Sequence, residues 1–392
     1  MSMYQYAPRS PLHRLYRYCR RSSLVLRRGL SVSANSRMSL NSLLNDVELW
    51  HGRTVLRSTP RDIQVGTNMV CNLRCNFCRL NQPATRESLH DRPFGKKEIN
   101  GATLHRLLQL LPYAERVSLT PLGEPLLWSG LEPFLVRAQK LGCGNIELTS
   151  NGMLLETYVP LLSRQGVRGV TLSIDTNDPE VYAGMRIGGD LRQVERGVRL
   201  LAQQSPRPKI TIASTFMRRN IEQLPSMVSW AKSLGADVLA VQLMEIENPE
   251  QEREHLRYSP DLTRKMLLDA IAKGDYLHYP VVVSEGMGRF LRNDADCTLD
   301  DSQTLDAHYC EGQKSMVGSL LEQCRDPWSS LLIDTDGDCR PCCWAGISYG
   351  NLSDGRSFGS VWNGDVAREV RRMFLANELP EGCRGRHCRV DV

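Results

Sequence analysis

The sequence predicts an α/β fold in which buried strands alternate with amphipathic helices from residue 62 onward. Each strand-like run is apolar or β-branched, and a longer stretch with helical spacing of its apolar residues follows it. Six such alternations predict parallel strands joined by right-handed crossovers, with the ligand site at the carboxyl ends of the strands. The predicted strands are Asp62–Val70, Arg116–Thr120, Asn145–Thr149, Val170–Ile174, Lys209–Phe216 and Val238–Met244.

Composition limits the classes of protein that the chain can belong to. Hydrophobic residues make up 41% of its 392 residues, and this length holds about two domains. The absence of a long apolar run predicts no membrane-spanning helix and no membrane partner. The net charge is +5, but residues 1–37 contain eight arginines and no acidic residue, which leaves −3 for residues 38–392. We therefore expect no nucleic-acid partner.

Residues 1–44 form a basic extension that we expect to lie outside the fold. Its first 37 residues are rich in Arg and Ser, a composition typical of mitochondrial transit peptides. The alternative is an untranslated or disordered segment, with Met38 as the true start. The predicted location is the cytoplasm, or the mitochondrial matrix if the extension is a transit peptide.

A cysteine cluster follows the first predicted strand. Cys71, Cys75 and Cys78 have C-x3-C-x2-C spacing, with Phe77 before the last. Three thiolates this close can hold three corners of a cubane iron–sulfur cluster and leave the fourth iron open for chemistry. Structural zinc is the alternative, but zinc ligands usually come as two C-x2-C pairs 12 to 20 residues apart, whereas the next cysteine here is Cys143.

This spacing, with an aromatic residue before the third cysteine, resembles the radical S-adenosylmethionine (radical SAM) superfamily. The resemblance implies a partial (β/α)6 TIM-like barrel, which we place at residues 45–278. It also implies a 4Fe-4S cluster whose open iron binds S-adenosylmethionine (SAM) and supplies the electron that cleaves it to a 5′-deoxyadenosyl radical. An electron donor such as flavodoxin or ferredoxin is then expected.

The loop after the second predicted strand is similar to the Gly-Gly-Glu-Pro motif of that superfamily. The matching residues are Gly123, Glu124 and Pro125, while Leu122 stands where the first glycine is usual. The motif implies contact with the amino group of the methionine moiety. An ordinary turn is the alternative for Gly-Glu-Pro in isolation, and its place after the second strand favours the functional interpretation.

Loops after the next strands also resemble SAM-binding loops of the superfamily. Asn151 lies in a turn like the Thr-Asn-Gly turn that supports the site. Ser173 and Asp175 match residues that reach the ribose hydroxyls or the carboxylate, and Arg186 matches the arginine that binds the methionine carboxylate. Each residue alone could be a cap or a surface charge, whereas their joint order favours a SAM site; Phe77 completes the predicted set.

The chain changes character after the barrel. Residues 279–323 read as an irregular linker, and residues 324–392 as a small β-hairpin and helix domain. Asp336-Gly337 is a strong hairpin signal between two short strands.

The cysteines of this tail resemble those of SPASM and twitch domains. Those domains open with a cysteine, nine to fifteen residues and Gly-x4-Cys; here twelve residues separate Cys324 from Gly337, and four separate Gly337 from Cys342. The longer cysteine run of a full SPASM domain is missing, and Cys383 and Cys388 remain. The resemblance implies one auxiliary 4Fe-4S cluster held by four cysteines, as in a twitch domain. Zinc is the alternative, because it also accepts four cysteines.

Relatives with auxiliary clusters oxidise alcohols or protein side chains, crosslink peptides or epimerise carbon centres. Oxidation needs an electron acceptor, whereas epimerisation needs a thiol that returns a hydrogen atom. No other catalytic residue is predicted. The candidate hydrogen donors are the spare cysteines Cys297, Cys310, Cys339 and Cys343.

We expect a small-molecule substrate, such as a sugar or an aminocyclitol, to be oxidised or epimerised. Only residues 1–61 precede the first predicted strand of the barrel, too few for the peptide-recognition domain of many peptide maturases. A peptide or protein maturase is the alternative within the superfamily. A non-catalytic iron–sulfur scaffold is the alternative from another class, but it would not explain the SAM-like motifs beside an open cluster site.

Overall fold

The computed structural model describes residues 36–81, 98–246, 248–291 and 320–383. The strands are β1 Asp62–Val65, β2 Arg74–Cys75, β3 Arg116–Leu119, β4 Ile146–Ser150, β5 Gly169–Ser173, β6 Arg186–Ile187, β7 Lys209–Phe216, β8 Val238–Leu243, β9 Val281–Val283, β10 Ser330–Ile333, β11 Asp338–Arg340 and β12 Gly350–Asn351. The helices are α1 Ser36–Trp50, α2 Gly101–Leu110, α3 Leu131–Lys140, α4 Leu155–Arg164, α5 Pro179–Met185, α6 Leu191–Ala202, α7 Leu224–Ser233, α8 Pro249–Glu254, α9 Pro260–Leu277, α10 Glu285–Gly288, α11 Leu320–Gln323, α12 Asp326–Ser329, α13 Phe358–Trp362 and α14 Asp365–Leu375. Short 3-10 turns occupy Arg79–Asn81, Leu111–Tyr113, Pro125–Leu127, Ile221–Gln223, Leu256–Tyr258 and Glu381–Cys383.

One sheet organises the described part of the chain. Its strand order is β12-β11-β10-β1-β3-β4-β5-β7-β8-β9. The six predicted strands are β1, β3, β4, β5, β7 and β8, and they lie side by side in chain order with parallel pairing. The predicted α/β fold with a parallel sheet is therefore confirmed. Alternate residues are buried in β1, β3, β4, β5 and β7.

The sheet extends further than the sequence indicates. Strand β9, which falls in the segment predicted to be an irregular linker, pairs in parallel with β8. On the other side, β10 of the tail pairs in parallel with β1, with Ser330 opposite Asp62. The tail therefore continues the sheet of the barrel instead of standing apart from it. Residues 292–319 of the predicted linker lie outside the described residues.

Strand β1 ends at Val65, five residues before the predicted end. Beyond it, the chain leaves the sheet and bonds to the Gly-Glu-Pro loop: the amide of Gly123 donates to the Asn68 carbonyl, and the amide of Glu124 to the Val70 carbonyl. Backbone hydrogen bonds that would extend the strand are thus used to hold two loops together.

The predicted hairpin is present in the tail. Strands β10 and β11 pair antiparallel, and Gly337 in the turn has a φ of +90°, which favours glycine. A Cβ on Gly337 would lie 2.7 Å from Thr103 Oγ1. The turn therefore needs glycine both for its backbone conformation and for its close contact with α2.

Helix α1 spans the boundary predicted between residues 44 and 45, and residues 1–35 of the predicted extension lie outside the described residues. The helix docks through buried polar side chains. Asn45 Nδ2 donates to Ser58 Oγ at 2.9 Å and to the Trp328 carbonyl at 2.7 Å, and Glu48 accepts from the Ser58 hydroxyl. Helix α1 thus joins the start of the barrel to the tail.

No helix in the described residues is long and apolar enough to cross a bilayer.

Replacement of Asn45 by Ala should destabilise the fold by about 1–3 kcal/mol, because buried hydrogen-bonding groups lose their partner. Denaturant unfolding monitored by circular dichroism measures the free energy. Leu40→Ala is the control, since Leu40 lies on the same helix and is 65% exposed; it should change stability by less than about 0.5 kcal/mol. Equal effects of the two variants would contradict the docking role of Asn45.

Candidate functional site

The cysteine loop lies at the carboxyl end of β1. Cys75 is buried, and Cys71 and Cys78 are partly buried. The amide of Cys78 donates to the Cys75 carbonyl, which makes a tight turn between the second and third cysteines. Strand β2 pairs with β6 and places Cys75 opposite Arg186. The sequence did not predict this pairing of β2 with β6. It fixes the cysteine loop against the segment that carries Arg186.

Nitrogen donors point at the cysteine sulfurs. The amide of Leu73 lies 3.4 Å from Cys71 Sγ, and Asn151 Nδ2 lies 3.8 Å from the same sulfur. Arg186 Nη1 lies 3.8 Å from Cys75 Sγ. Burial raises the pKa of Cys75 to about 11, and the Arg186 guanidinium opposes this effect. Donors of this kind stabilise thiolate ligands of a cluster.

The Glu124 carboxylate is buried and hydrogen bonded to other parts of the protein. Its carboxylate accepts from the Leu126 amide, the Ser150 hydroxyl at 2.7 Å and the Asn151 amide at 2.8 Å. Burial raises the pKa of Glu124, and these donors oppose the rise. Glu124 therefore ties the Gly-Glu-Pro loop to the end of β4, which also orients Asn151. Pro125 begins a buried 3-10 turn, and Leu122 is exposed.

Arg186 and Asp175 form a buried ion pair. Arg186 Nε donates to Asp175 Oδ2 at 2.7 Å, and both side chains are less than 10% exposed. The other carboxylate oxygen of Asp175 accepts from the Thr215 amide. The guanidinium lies 5.4 Å from the centre of the Phe77 ring. The structure thus brings Arg186, Asp175, Phe77 and Cys75 together at one end of the sheet.

The predicted residues occupy adjacent loops of this edge. Ser173 is partly buried at the carboxyl end of β5. Asn220, after β7, donates to the carbonyls of Asp175 and Thr215. It therefore holds the loop that carries the acidic residue against the next strand.

A methionine cluster at this site has no signature in the sequence. Met185, Met217 and Met244 pack together, with Phe77 and Val181 against them. The three methionines come from the ends of three separate elements, and methionine is a common core residue, so no local pattern reveals them. They form a polarizable apolar surface beside the cysteine loop.

The tail contains a second convergence of thiols, which we call the tail cysteines: Cys324, Cys342 and Cys383. They line one small cavity, together with Pro327 and Phe374. In the described residues, no three Cys, His, Asp or Glu side chains approach closely enough to hold a single metal ion. Cluster ligands bind separate irons, so the shared cavity is the relevant feature for a cubane.

The other predicted cysteines differ in position. Cys388, Cys297 and Cys310 lie outside the described residues. Cys339 is fully buried in β11, and its thiol donates to the Gly337 carbonyl at 3.6 Å, which argues against its predicted role as a hydrogen donor. Cys343 is exposed.

Family models match two regions of the chain. Residues 67–231 match the radical SAM superfamily, and residues 324–389 match an iron–sulfur cluster-binding domain called SPASM. The chain is a radical SAM enzyme with a C-terminal SPASM domain. Because the first match includes the cysteine loop and the second includes the tail cysteines, the enzyme requires 4Fe-4S clusters and SAM as cofactors.

Curated relatives match about half of this radical SAM enzyme. The probable GTP 3′,8-cyclase of Methanococcus maripaludis is 26% identical over 200 residues, which cover 51% of this chain and 64% of the relative. The GTP 3′,8-cyclase of Caulobacter vibrioides is 28% identical over 199 residues, covering 49% and 54%. The enzyme thus spans less than two thirds of the length of these relatives.

Solved structures share the fold. Streptococcus suis SuiB bound to S-adenosylmethionine has a TM-score of 0.61 at 18% identity and covers 88% of this chain and 76% of its own. The AdoMet-bound anSMEcpe has a TM-score of 0.55 at 16% identity, covering 82% and 85%. These likenesses confirm the partial barrel.

The described residues fit both cofactor groups. Cys71, Cys75 and Cys78 would hold the SAM cluster, because amide and guanidinium donors already point at two of their sulfurs. When bound, this cluster supplies the electron that cleaves SAM. The chain's own part is to hold the loop, exclude water through buried neighbours and keep Arg186 and Asp175 in place.

Gly123→Ala should disrupt the SAM-cluster site. A Cβ at this position would lie 2.3 Å from the Val70 carbonyl oxygen and 2.6 Å from its amide nitrogen, and Val70 precedes the first cysteine. We expect the iron content to fall toward half and 5′-deoxyadenosine formation to fall by at least about tenfold, or about 1.4 kcal/mol. Gly144→Ala is the control, because no atom beyond its chain neighbours lies within 4 Å of the place that its Cβ would take. Wild-type iron content in Gly123→Ala would contradict the expectation.

Proposed function

We propose that the enzyme oxidises a small molecule, such as a sugar or an aminocyclitol, after abstraction of a hydrogen atom. The observation that carries the proposal is the convergence of the tail cysteines on one cavity, in a domain whose strand β10 is hydrogen bonded to β1. Cys324, Cys342, Cys383 and Cys388 are the proposed ligands of the auxiliary cluster.

The proposed oxidation removes one hydrogen atom, one proton and one electron from the substrate. A hydrogen atom leaves a substrate carbon and bonds to the 5′ carbon of the deoxyadenosyl radical, which yields 5′-deoxyadenosine. The substrate radical then loses one proton to solvent and one electron, and an alcohol carbon becomes a carbonyl. When bound, the auxiliary cluster supplies the acceptor for that electron. A reductant such as flavodoxin or ferredoxin is proposed for the SAM cluster, which needs an electron from outside.

The SAM-binding roles proposed for individual residues rest on their place at the strand ends. Gly123, Glu124 and Pro125 follow β3, and Ser173 and Asp175 lie at the end of β5. Arg186 already binds Asp175, so we propose that it orients this acid and the cysteine loop in addition to any contact with the SAM carboxylate. Phe77 and Asn151 complete the set.

The burial and exposure of the spare cysteines favour oxidation over epimerisation. Of the candidate donors in the described residues, Cys339 is buried in the sheet and Cys343 is exposed. Epimerisation would therefore depend on Cys343, or on the two candidates outside the described residues. It remains the second candidate function.

The substrate class is supported by the names of relatives. The curated relatives are named for GTP, a small molecule. Solved structures with this fold include SuiB with a precursor peptide and anSMEcpe with the Cp18Cys peptide, and at 16–17% identity they share the fold alone. Peptide modification is the alternative that these structures raise.

Anaerobically reconstituted enzyme should contain about eight irons, because two 4Fe-4S clusters are proposed. Replacement of Cys71, Cys75 and Cys78 by Ala together should leave about half of that iron. Iron and zinc analysis of both proteins measures the outcome. Stoichiometric zinc with only four irons would disprove the auxiliary cluster and leave the radical chemistry intact.

Cys342→Ala should preserve 5′-deoxyadenosine formation and abolish net oxidation of the substrate, because the electron acceptor is lost.

The substrate class is identified first. Reduced enzyme is given two fractions of a cell extract, one of metabolites and one of peptides, and stimulation of 5′-deoxyadenosine formation identifies the substrate class. We expect stimulation by the metabolite fraction. Cys143→Ala, which removes a buried thiol far along the chain from both cysteine sets, is the control and should behave as wild type.

Two results would contradict this proposal. Stimulation by the peptide fraction alone would indicate a peptide maturase. Deuterium from solvent on a product carbon, together with an essential Cys343, Cys297 or Cys310, would indicate epimerisation.

A further inference from the structure

Helix α14 carries a buried positive charge, Arg371; burial lowers its pKa, and the Glu48 carboxylate opposes this effect without forming an ion pair with it in the described residues. Arg371 is 0% exposed, and it forms no ion pair within the described ranges. Its guanidinium donates to the carbonyls of Pro327 and Thr54 and to Asn363 Oδ1 and lies 4.5 Å from the centre of the Trp362 ring. Its second terminal nitrogen, Nη2, is buried and has no hydrogen-bond partner among the described residues. A buried charge of this kind is costly unless a counter-charge is nearby.

Tyr349 is a second buried group with an unused hydrogen-bond donor. The residue is 4% exposed, and its hydroxyl is buried with no hydrogen-bond partner in the part of the chain that the structure describes. Its ring packs edge-on against Trp362 at 6.4 Å, and its amide donates to the Cys339 carbonyl at 2.7 Å. The ring is thus fixed by the β11 backbone on one side and by an aromatic side chain on the other.

Arg371 and Tyr349 both contact the Trp362 ring, and Arg371 donates to the carbonyl of Pro327, which lines the cavity of the tail cysteines. Burial is the main reason that the pKa of Tyr349 is raised; Arg371 opposes the rise, and Cys383, Cys342 and Cys324 reinforce it. The phenol is therefore within electrostatic range of the guanidinium and of all three thiols. Burial lowers the pKa of Arg371 to about 10, so the guanidinium is charged at neutral pH.

A cluster bound by the tail cysteines would satisfy both unused groups. The three tail cysteines and Cys388, the proposed fourth ligand, would give such a cluster a net negative charge, and its sulfurs accept hydrogen bonds. Hydrogen bonds to the sulfurs and nearby charge are the main means by which a protein sets the potential of a cluster. Reduction adds one more negative charge, so a fixed donor and a fixed cation stabilise the reduced form more than the oxidised form.

We propose that Tyr349 donates a hydrogen bond to a sulfur of the auxiliary cluster and that Arg371 is its buried counter-charge, so that together they raise its reduction potential. The inference rests on the auxiliary cluster of the proposed function. It assigns a function to Tyr349 and Arg371, which lie outside the cysteine motifs. A raised potential makes the cluster a better acceptor for the electron of a substrate radical.

The test is a potentiometric titration of the auxiliary cluster, followed by electron paramagnetic resonance. The full chain is used with Cys71, Cys75 and Cys78 replaced by Ala, so that only the tail cluster gives a signal. Tyr349→Phe removes the hydroxyl alone and should shift the midpoint potential to a more negative value. Arg371→Met should shift it in the same direction, and Arg371→Lys, which keeps the charge, should shift it less than Arg371→Met.

Matched controls separate this effect from general effects of mutation. Tyr279→Phe removes another buried hydroxyl without a partner, which lies next to β9 at the opposite edge of the sheet. Arg372→Met removes a charge from the same helix, where the side chain is 59% exposed and paired with Glu369. Both controls should keep the wild-type potential.

A second readout detects the hydrogen bond itself. Electron-nuclear double resonance of the reduced cluster after exchange into deuterium oxide should show an exchangeable coupling in wild type that is missing in Tyr349→Phe. Because this variant keeps the ring and its packing, it tests the proposal even if the Arg371 variants do not fold. An unchanged potential and an unchanged coupling in iron-loaded Tyr349→Phe would overturn this inference alone. Zinc in the tail of the wild-type chain would overturn the proposed auxiliary cluster, and this inference with it.

Discussion

Strand β1 is the element on which both halves of the molecule depend. It is hydrogen bonded on both sides, and Asp62 stands opposite Arg116 of the barrel and Ser330 of the tail. Its apolar side chains, Ile63 and Val65, are fully buried. Because its carboxyl end leads directly into the cysteine loop, the strand fixes that loop to the barrel and to the tail at the same time. A displacement of the tail sheet would therefore be transmitted to the SAM-cluster site.

Charged groups at the site are held by other parts of the protein. Glu124 is bonded to the end of β4, and Arg186 is bonded to Asp175 and lies beside Cys75. Such fixed groups need little reorganisation during a reaction, which is the condition under which electrostatic stabilisation is strongest. The same principle applies in the tail, where Arg371 is held by backbone carbonyls.

The sequence predicts the parts of the structure that depend on local patterns. Six parallel strands follow from runs of apolar residues, and the cysteine loop follows from ligand spacing. It does not predict the pairing of β10 with β1 or of Cys75 with Arg186, because these contacts join distant segments. The sequence gives only a weak indication that Arg371 is buried. Arg371 shares helical spacing with Ala367 and Phe374, which are both buried, but arginine usually lies on a surface.

The hydrogen bond from Asn45 to the Trp328 carbonyl has a consequence for biosynthesis. Its two ends are 283 residues apart, so helix α1 leaves the ribosome long before its partner in the tail exists. At about 5–20 residues per second, the wait lasts on the order of tens of seconds. During that interval the polar face of α1 lacks one of its acceptors, and the edge of β1 that will bind β10 is open. The docking of helix α1 is thus completed only after the tail has been made.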